Sequence, residues 1–192
     1  MSLILASNSQ IRREMLVSAG VEHEVRSPGF DEDQAKAGGL IGEHLARLLA
    51  EGKAASIDGG PGAWVIGSDS TISVDGRRYS KPRDRNQAAE HLRAFSGRTM
   101  LLSSAVALAR QGDVEWSHAE SASLRVRELS DQFIGQYLDL EWPDVAYCVG
   151  VFRMEGRGVT LFDEVEGSHF TILGMPLLPL LAALRERGLM PS

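Results

Sequence analysis

The stretch that decides the fold is Ala63-Trp-Val-Ile-Gly-Ser-Asp-Ser-Thr-Ile-Ser-Val-Asp-Gly-Arg-Arg-Tyr-Ser-Lys-Pro-Arg-Asp84. Its apolar start predicts a buried strand that ends just before Asp69. The turn at Asp75-Gly76 lies between alternating residues and predicts a β-hairpin. A carboxylate directly after a buried strand is typical of the carboxyl-terminal edge of an α/β sheet, where ligands bind. Lys81 follows the hairpin, so the stretch places an acid and a cation near one edge.

Helical and strand patterns are mixed on both sides of this stretch. Up to the hairpin, they predict a strand at 3–6, a helix from Ser9 to Gly20, a strand at 21–26, a loop at 27–39, a helix at 40–57 and strands at 63–66, 71–74 and 77–79. Beyond it, they predict a helix from Asp84 to 95, long strands at 99–109 and 114–127, a helix from Ser130 to 140, strands at 147–154, 159–165 and 169–173, and a helix from Pro176 to Gly188. The expected class is α/β with a partly antiparallel sheet, as a single domain of residues 1–192.

Composition limits the partners of the chain. Its 192 residues carry a net charge of -6, which argues against general nucleic-acid binding. The single cysteine, Cys148, excludes an internal disulfide and fits a reducing compartment. Its apolar surroundings predict a core position in a strand. No run approaches the roughly 20 apolar residues of a membrane span, so we expect a cytoplasmic protein with no membrane partner.

A cluster of hydroxyl and guanidinium groups lies where the first strand turns into a helix. It comprises Ser7, Ser9, Arg12 and Arg13. A helix N-terminus attracts phosphate, and these side chains add charge-assisted hydrogen bonds. The alternative, weighted equally, is a capped amphipathic helix with solvated arginines.

For two further groups, the sequence pattern favours an interpretation without a functional role. A carboxylate in Asp31-Glu32-Asp33 is suited to a divalent cation, but a solvated acidic turn is the commoner case. Lys53 continues at i+4 steps the apolar row of Ile41, Leu45 and Leu49. Such a lysine reaches a buried partner or, more commonly, extends along the apolar surface to solvent.

Asp69 is the candidate general base, since a carboxylate accepts a proton from an attacking water. Lys81 is suited to neutralising phosphate as a point cation. The alternatives are a turn acid and a surface lysine preceding Pro82. The five histidines do not pair at ligand spacing, which argues against a histidine metal site.

With these residues in place, the chain resembles the Maf family of nucleoside triphosphate pyrophosphatases over nearly its whole length. The motifs that carry the resemblance are Leu3-Ile-Leu-Ala-Ser-Asn-Ser9, Arg12-Arg-Glu-Met-Leu16, Asp31-Glu32, residues 48–54, Gly67-Ser-Asp69, Lys81-Pro82, Ser96-Gly97, Glu166-Gly167 and Leu173-Gly-Met-Pro-Leu177. Several motifs in one order are more specific than any single one.

The resemblance implies hydrolysis of a nucleoside triphosphate to the monophosphate and pyrophosphate with a divalent metal cation (Mg, Mn or Co). It implies a long twisted mixed sheet flanked by helices, with two lobes, a central cleft, and often a homodimer. Asp69 is the implied proton acceptor, Lys53 and Lys81 the catalytic cations, and Glu32 and Asp69 the metal carboxylates. The implied phosphate ligands are Ser7, Ser9, Arg12 and Arg13.

Base preference is implied by three positions: Ile11, Ser70 and Glu155. A branch that prefers thymidine and uridine triphosphates has arginine, threonine and glutamine there, and a branch that prefers 7-methyl-GTP has tryptophan first and glutamate last. Residues 152–162 resemble the second branch, and a carboxylate suits the two donors of guanine. Ile11 departs from it, because isoleucine does not stack on a base. The alternatives are a dTTP or UTP pyrophosphatase, a non-enzymatic nucleotide-binding regulator of cell division, and an unrelated phosphate-binding α/β domain.

Overall fold

A computed structural model describes residues 2–191 and contains one seven-stranded mixed sheet. The strands are β1 (Leu3–Ala6), β2 (Glu24–Arg26), β3 (Trp64–Val74), β4 (Arg77–Tyr79), β5 (Thr99–Arg110), β6 (Asp113–Val126) and β7 (Phe162–Glu166). The helices are α1 (Gln10–Ser18), α2 (Glu32–Ala37), α3 (Gly42–Ala55), α4 (Arg85–Phe95), α5 (Asp131–Glu141), α6 (His169–Leu173) and α7 (Leu177–Glu186). Short 3₁₀ helices span Asp144–Tyr147 and Arg157–Leu161. The predicted α/β class is confirmed.

The sheet has the strand order β2-β1-β3-β5-β6-β7, and the short strand β4 also pairs with β3. On one side, β3 pairs with β5 over ten consecutive residue pairs. On its other side, the first residues of β3 up to Gly67 pair in parallel with β1, and the residues from Ile72 onward pair antiparallel with β4. Within residues 2–191, the segment 68–71 has no partner on that side. This opening in the hydrogen-bonding ladder is called the sheet gap below.

One face of the sheet changes from apolar to polar and back along the strands. Trp64 and Ile66 of β3 belong to one apolar cluster, and Ile72 and Val74 belong to another. Alternation puts the intervening residues Ser68 and Ser70 on the same face. Strand β5 repeats the pattern, with Ser104 between the two clusters. The two clusters are the cores of two lobes, and a polar band separates them at the level of the sheet gap.

Alanines cover the opposite face of the sheet beneath α3. The cluster contains Ala46, Ala50 and Ala54 of α3 together with Ala105, Ala107, Ala109 and Ala119 of the sheet. These small side chains bring the helix close to the strands. At Gly67 the approach is closest, because a Cβ there would lie 2.1 Å from the carbonyl oxygen of Ala50.

The early elements confirm most of the sequence patterns, although strand β2 begins at Glu24 and not at residue 21. Strand β1 has the predicted bounds, and Asp75 and Gly76 have positive φ in the predicted hairpin turn. The strands predicted at 63–66 and 71–74 form the single strand β3, because the hydroxyl-rich residues between them continue to pair with β5.

The later elements contain most of the errors. The strand predicted at 169–173 is helix α6, since a five-residue apolar run is ambiguous and Gly174 ends it in the left-handed conformation. The strand predicted at 147–154 is irregular and contains a positive φ at Val151. Cys148 is therefore half-buried in a turn, not in a strand.

Other boundaries also shift. Of the strand predicted at 159–165, the first part is 3₁₀ helix, and strand β7 begins at Phe162. Helix α2 lies within the loop predicted at 27–39, because Asp31 caps it. No helix between residues 2 and 191 is long and apolar enough to cross a membrane.

Candidate active site

Asp69 lies in the sheet gap, and its carboxylate contacts one cationic side chain from each face of the sheet. Nζ of Lys53, on α3, lies 3.3 Å from Oδ2 of Asp69. Nη2 of Arg12, on α1, approaches Oδ1 at 3.8 Å from the other face. The backbone N–H of Ser70 donates to the same Oδ1 at 2.9 Å. Both cations reach one carboxylate because no strand occupies the sheet gap in the described part of the chain.

Lys53 is buried, with a relative exposure of 7 %. Its ammonium also lies 2.7 Å from Oε1 of Glu32. Of the two alternatives for Lys53, extension to solvent is therefore wrong, and the lysine reaches buried partners. The close approach of α3 at Gly67 brings the lysine over β3, where two carboxylates compensate its desolvation.

Glu32 belongs to the first turn of α2, which Asp31 caps through hydrogen bonds from two backbone N–H groups. The Glu32 carboxylate accepts from Lys36 at 2.6 Å as well as from Lys53. Burial alone would raise the pKa of Glu32, but hydrogen bonds from Lys36 and Lys53 outweigh it and lower the pKa to about 2. The alternative of a solvated acidic turn is wrong for Glu32, whereas Asp31 and Asp33 are exposed.

Arg12 is held by three neutral acceptors besides Asp69. Its Nε donates to the carbonyl oxygen of Gly174 at 2.9 Å, and Nη2 donates to Ser70 Oγ at 3.1 Å. Its Nη1 donates to Ser7 Oγ at 3.4 Å. Burial lowers the pKa of Arg12, while Asp69 and Glu32 oppose that shift. The solvated-arginine alternative is wrong for Arg12.

The other predicted residues of this first cluster lie around Arg12. Arg13 is exposed on α1, and Ile11 is half-buried next to it. Ser9 occupies the N-cap position of α1, but its side chain makes no capping bond. Its backbone N–H donates instead to Ser7 Oγ at 3.2 Å. Arg13 is thus the one arginine of the pair whose side chain faces solvent.

Sequence reasoning missed a network of hydroxyls behind Arg12. Ser68 and Ser70 each donate at 3.1 Å to the Gly174 carbonyl, which also accepts from Arg12. Ser104 lies 2.8 Å from Ser70 and donates to the carbonyl of Thr171 at 2.7 Å. The signal was present, because serines occur at alternate positions of strands whose other residues on that face are apolar.

Lys81 and Glu155 are the remaining predicted site residues. Both are exposed. Lys81 follows the end of strand β4 by two residues. Burial raises the pKa of Cys148 to about 11, the charge of Glu155 adds to the rise, and Lys81 opposes it. Lys81 and Glu155 are therefore both within electrostatic range of the Cys148 thiol.

The carboxylates of the site fit a divalent cation only when a ligand completes its shell. Glu32 and Asp69 both contact Lys53, which brings them near one another. Among residues 2–191 there is no cluster of three or more His, Cys, Asp or Glu side chains suited to a metal. Mg²⁺ is typically bound by one or two carboxylates together with substrate phosphates and water, and this donor set meets that requirement.

The fold and the site together define the class. This is an α/β protein in which a carboxylate lies between buried cations, and such a site is suited to binding an anion. The family model for Maf-like protein matches residues 2–187. The chain belongs to the Maf family.

Curated relatives match over almost their whole length. The chain is 45 % identical over 191 residues to a 7-methyl-GTP pyrophosphatase of Rhizobium meliloti (strain 1021), covering 97 % of this chain and 96 % of the relative. It is 45 % identical over 191 residues to a nucleoside triphosphate pyrophosphatase of Nitrobacter hamburgensis, covering 98 % and 95 %. A nucleoside triphosphate pyrophosphatase of Sphingopyxis alaskensis is 44 % identical, with 100 % of both chains covered.

Among solved structures, the chain is similar to a nucleoside-triphosphatase (dITP/XTP pyrophosphatase) from Mycobacterium abscessus. The TM-score is 0.41 at 20 % sequence identity, covering 67 % of this chain and 76 % of that one.

Proposed function

We propose that this protein hydrolyses a nucleoside triphosphate to the monophosphate and pyrophosphate. The observation that carries the proposal is Asp69 in the sheet gap, with Lys53 on one side and Arg12 on the other. A binding protein needs the cations, but it has no use for a carboxylate between them. The names of the relatives at 44–45 % identity support the same activity.

The charges of the site suit a polyanionic substrate. Arg12, Lys36 and Lys53 carry three positive charges against the two of Glu32 and Asp69, so this inner cluster has an excess of one. Lys81 and Arg13 add cations at exposed positions. Such fixed cations stabilise the charge that develops on a leaving pyrophosphate.

In this mechanism Asp69 accepts the proton of the attacking water. The carboxylate is oriented by the Ser70 N–H at Oδ1 and by Lys53 at Oδ2. The water oxygen bonds to phosphorus as the anhydride between the α- and β-phosphates breaks, and pyrophosphate leaves. Glu32 and Asp69 would hold a divalent cation together with the substrate phosphates, and such a cation would supply further charge neutralisation and acidify a nearby water.

The proposed substrate is 7-methyl-GTP, whose base is a methylated guanine. Glu155 is exposed, and its carboxylate suits the N1 and N2 donors of a guanine edge. It also favours the positive charge of a methylated ring. By family likeness we further propose a homodimer that acts in the cytoplasm.

The decisive experiment measures pyrophosphate and monophosphate release from 7-methyl-GTP, GTP, UTP and dTTP. Each is incubated with Mg²⁺, Mn²⁺, Co²⁺ or EDTA, and the wild type is compared with Asp69→Asn. We expect equimolar products that require both the metal and Asp69. Binding of triphosphates without release of pyrophosphate under any condition would refute the enzyme and favour a nucleotide-binding regulator.

A further inference from the structure

Helix α5 lies outside the charged cluster at Asp69, yet it carries a buried carboxylate. Glu141 has a relative exposure of 5 %. A buried carboxylate is expensive unless it is paired and hydrogen-bonded. Here Arg153 satisfies it, since Nη2 and Nε of Arg153 lie 3.0 and 3.3 Å from Oε2 of Glu141. Arg157 Nε approaches the other oxygen at 3.9 Å.

The two arginines flank Glu155 in sequence, and the segment between them is folded tightly on itself. The N–H of Gly156 donates to the carbonyl of Arg153 at 3.1 Å and closes a turn that contains Glu155. A Cβ at Gly158 would lie 2.4 Å from the same carbonyl oxygen, so the chain returns directly onto Arg153. Glu155 is thus the exposed tip of a compact loop whose base is Arg153.

Helix α5 fixes this loop at two points one helical turn apart. The hydroxyl of Tyr137 donates to the carbonyl of Val151 at 2.9 Å, and Glu141 binds Arg153. Arg153 is also bound by Asp144, at 3.1 Å from Nη1. The loop contains no regular strand, so these contacts determine where its tip points.

We propose that Glu141 is a positioning residue for base selection, which acts through Arg153 on the orientation of Glu155. This inference rests on the proposed function, because it concerns how the Glu155 carboxylate that binds the base is oriented. Two hydrogen bonds, from Nε and Nη2 to the same carboxylate oxygen, fix the Arg153 guanidinium in orientation as well as in position. Loss of the pair frees the loop tip, while the cluster at Asp69 is left intact.

The test compares kcat/KM for 7-methyl-GTP and UTP in Glu141→Gln, Arg153→Lys and Glu155→Gln. We expect Glu141→Gln to lower the ratio of 7-methyl-GTP to UTP about tenfold, mainly through KM, while kcat on UTP is retained. Arg153→Lys keeps the charge but not the planar fork, and it should give an intermediate ratio. Asp139→Asn, at an exposed position of the same helix, is the matched control and should leave the ratio unchanged.

A double variant separates positioning from a general loss of structure. If Glu141 acts through Glu155, Glu141→Gln combined with Glu155→Gln has the same ratio as Glu155→Gln alone. Equal losses on both substrates, or additive effects on the ratio in the double variant, would overturn the inference while leaving the proposed function standing. If Glu141→Gln fails to fold, an unchanged ratio in the half-exposed Arg153→Lys would overturn it. A wild type without pyrophosphatase activity would instead refute the proposed function.

Discussion

Nε of Arg12 donates a 2.9 Å hydrogen bond to the carbonyl oxygen of Gly174, although 162 positions separate the two residues in the chain. This bond joins the first helix to the end of α6, and it aims the guanidinium at Asp69. The carbonyl that does so belongs to a residue with φ of 111°, a conformation that side chains other than glycine rarely adopt. The position of Arg12, one of the two buried cations beside Asp69, therefore depends on a glycine.

Gly174→Ala should lower stability and activity together. The left-handed backbone costs about 1–3 kcal/mol with a side chain present, and relief of that strain moves the carbonyl away from Arg12. We expect a lower midpoint in urea unfolding and a raised KM for the triphosphate. Gly188→Ala is the control, since φ there is 66° in open space after α7. It should be destabilised without a change in KM, and a raised KM in both variants would contradict the role of the carbonyl.

Asp69→Asn should abolish most turnover while the protein still binds substrate. The amide keeps the shape of the side chain but does not accept the proton, and general-base assistance is typically worth about 10²–10⁴-fold in rate. Measurement of kcat and of nucleotide affinity distinguishes the two effects. Asp75→Asn, in the exposed turn at the far end of β3, should behave as wild type. Turnover within a few-fold of wild type in Asp69→Asn would remove Asp69 from the mechanism.

Glu155→Gln should shift the preference among substrates. A hydrogen bond to a charged group is worth about 1.5–3 kcal/mol, so the ratio of kcat/KM for 7-methyl-GTP to that for UTP or dTTP should fall roughly tenfold or more. Glu164→Gln, an exposed carboxylate on β7, provides the control. A wild type that prefers dTTP or UTP, with a ratio indifferent to residue 155, would leave only the general pyrophosphatase.

The contribution of Glu32 to stability should depend on pH. Its pKa is lowered from 4.5 to about 2 in the folded protein. Ionised Glu32 therefore stabilises the fold above about pH 4.5, and that stabilisation is lost as the pH falls toward 2. The difference in unfolding free energy between wild type and Glu32→Gln should be larger at pH 6 than at pH 3, as measured by urea titration. Glu22→Gln reports the effect of removing an exposed carboxylate, and a Glu32→Gln difference that stays constant with pH would contradict the assignment.

The sequence predicted the first half of the fold well because its elements have clear periodicity and end signals. The site at Asp69 was also predictable, and the structure brings Asp69, Lys53, Glu32 and Arg12 together. The burial of Lys53 was not, because it depends on how closely α3 approaches Gly67, which no periodicity reports.

The region from residue 144 to 161 was beyond sequence reasoning for another reason. Its shape depends on contacts with α5 made by Tyr137 and Glu141, which are distant from their partners in sequence. Its run of apolar residues therefore predicts a strand that the structure does not contain. Helix α6 was missed similarly, since its five residues are too few to distinguish periods of 2 and 3.6.

The long paired strands β3 and β5 also limit how the two lobes move relative to one another. Strands β3 and β5 each run from one apolar core into the other, so the two lobes share a continuous ladder of ten residue pairs. Hinge closure usually requires a few loop residues that absorb a rotation, and here the connection is a hydrogen-bonded ribbon. The continuous ladder therefore disfavours a hinge motion between the two lobes. Any adjustment to a bound nucleotide is therefore expected in elements outside this ribbon.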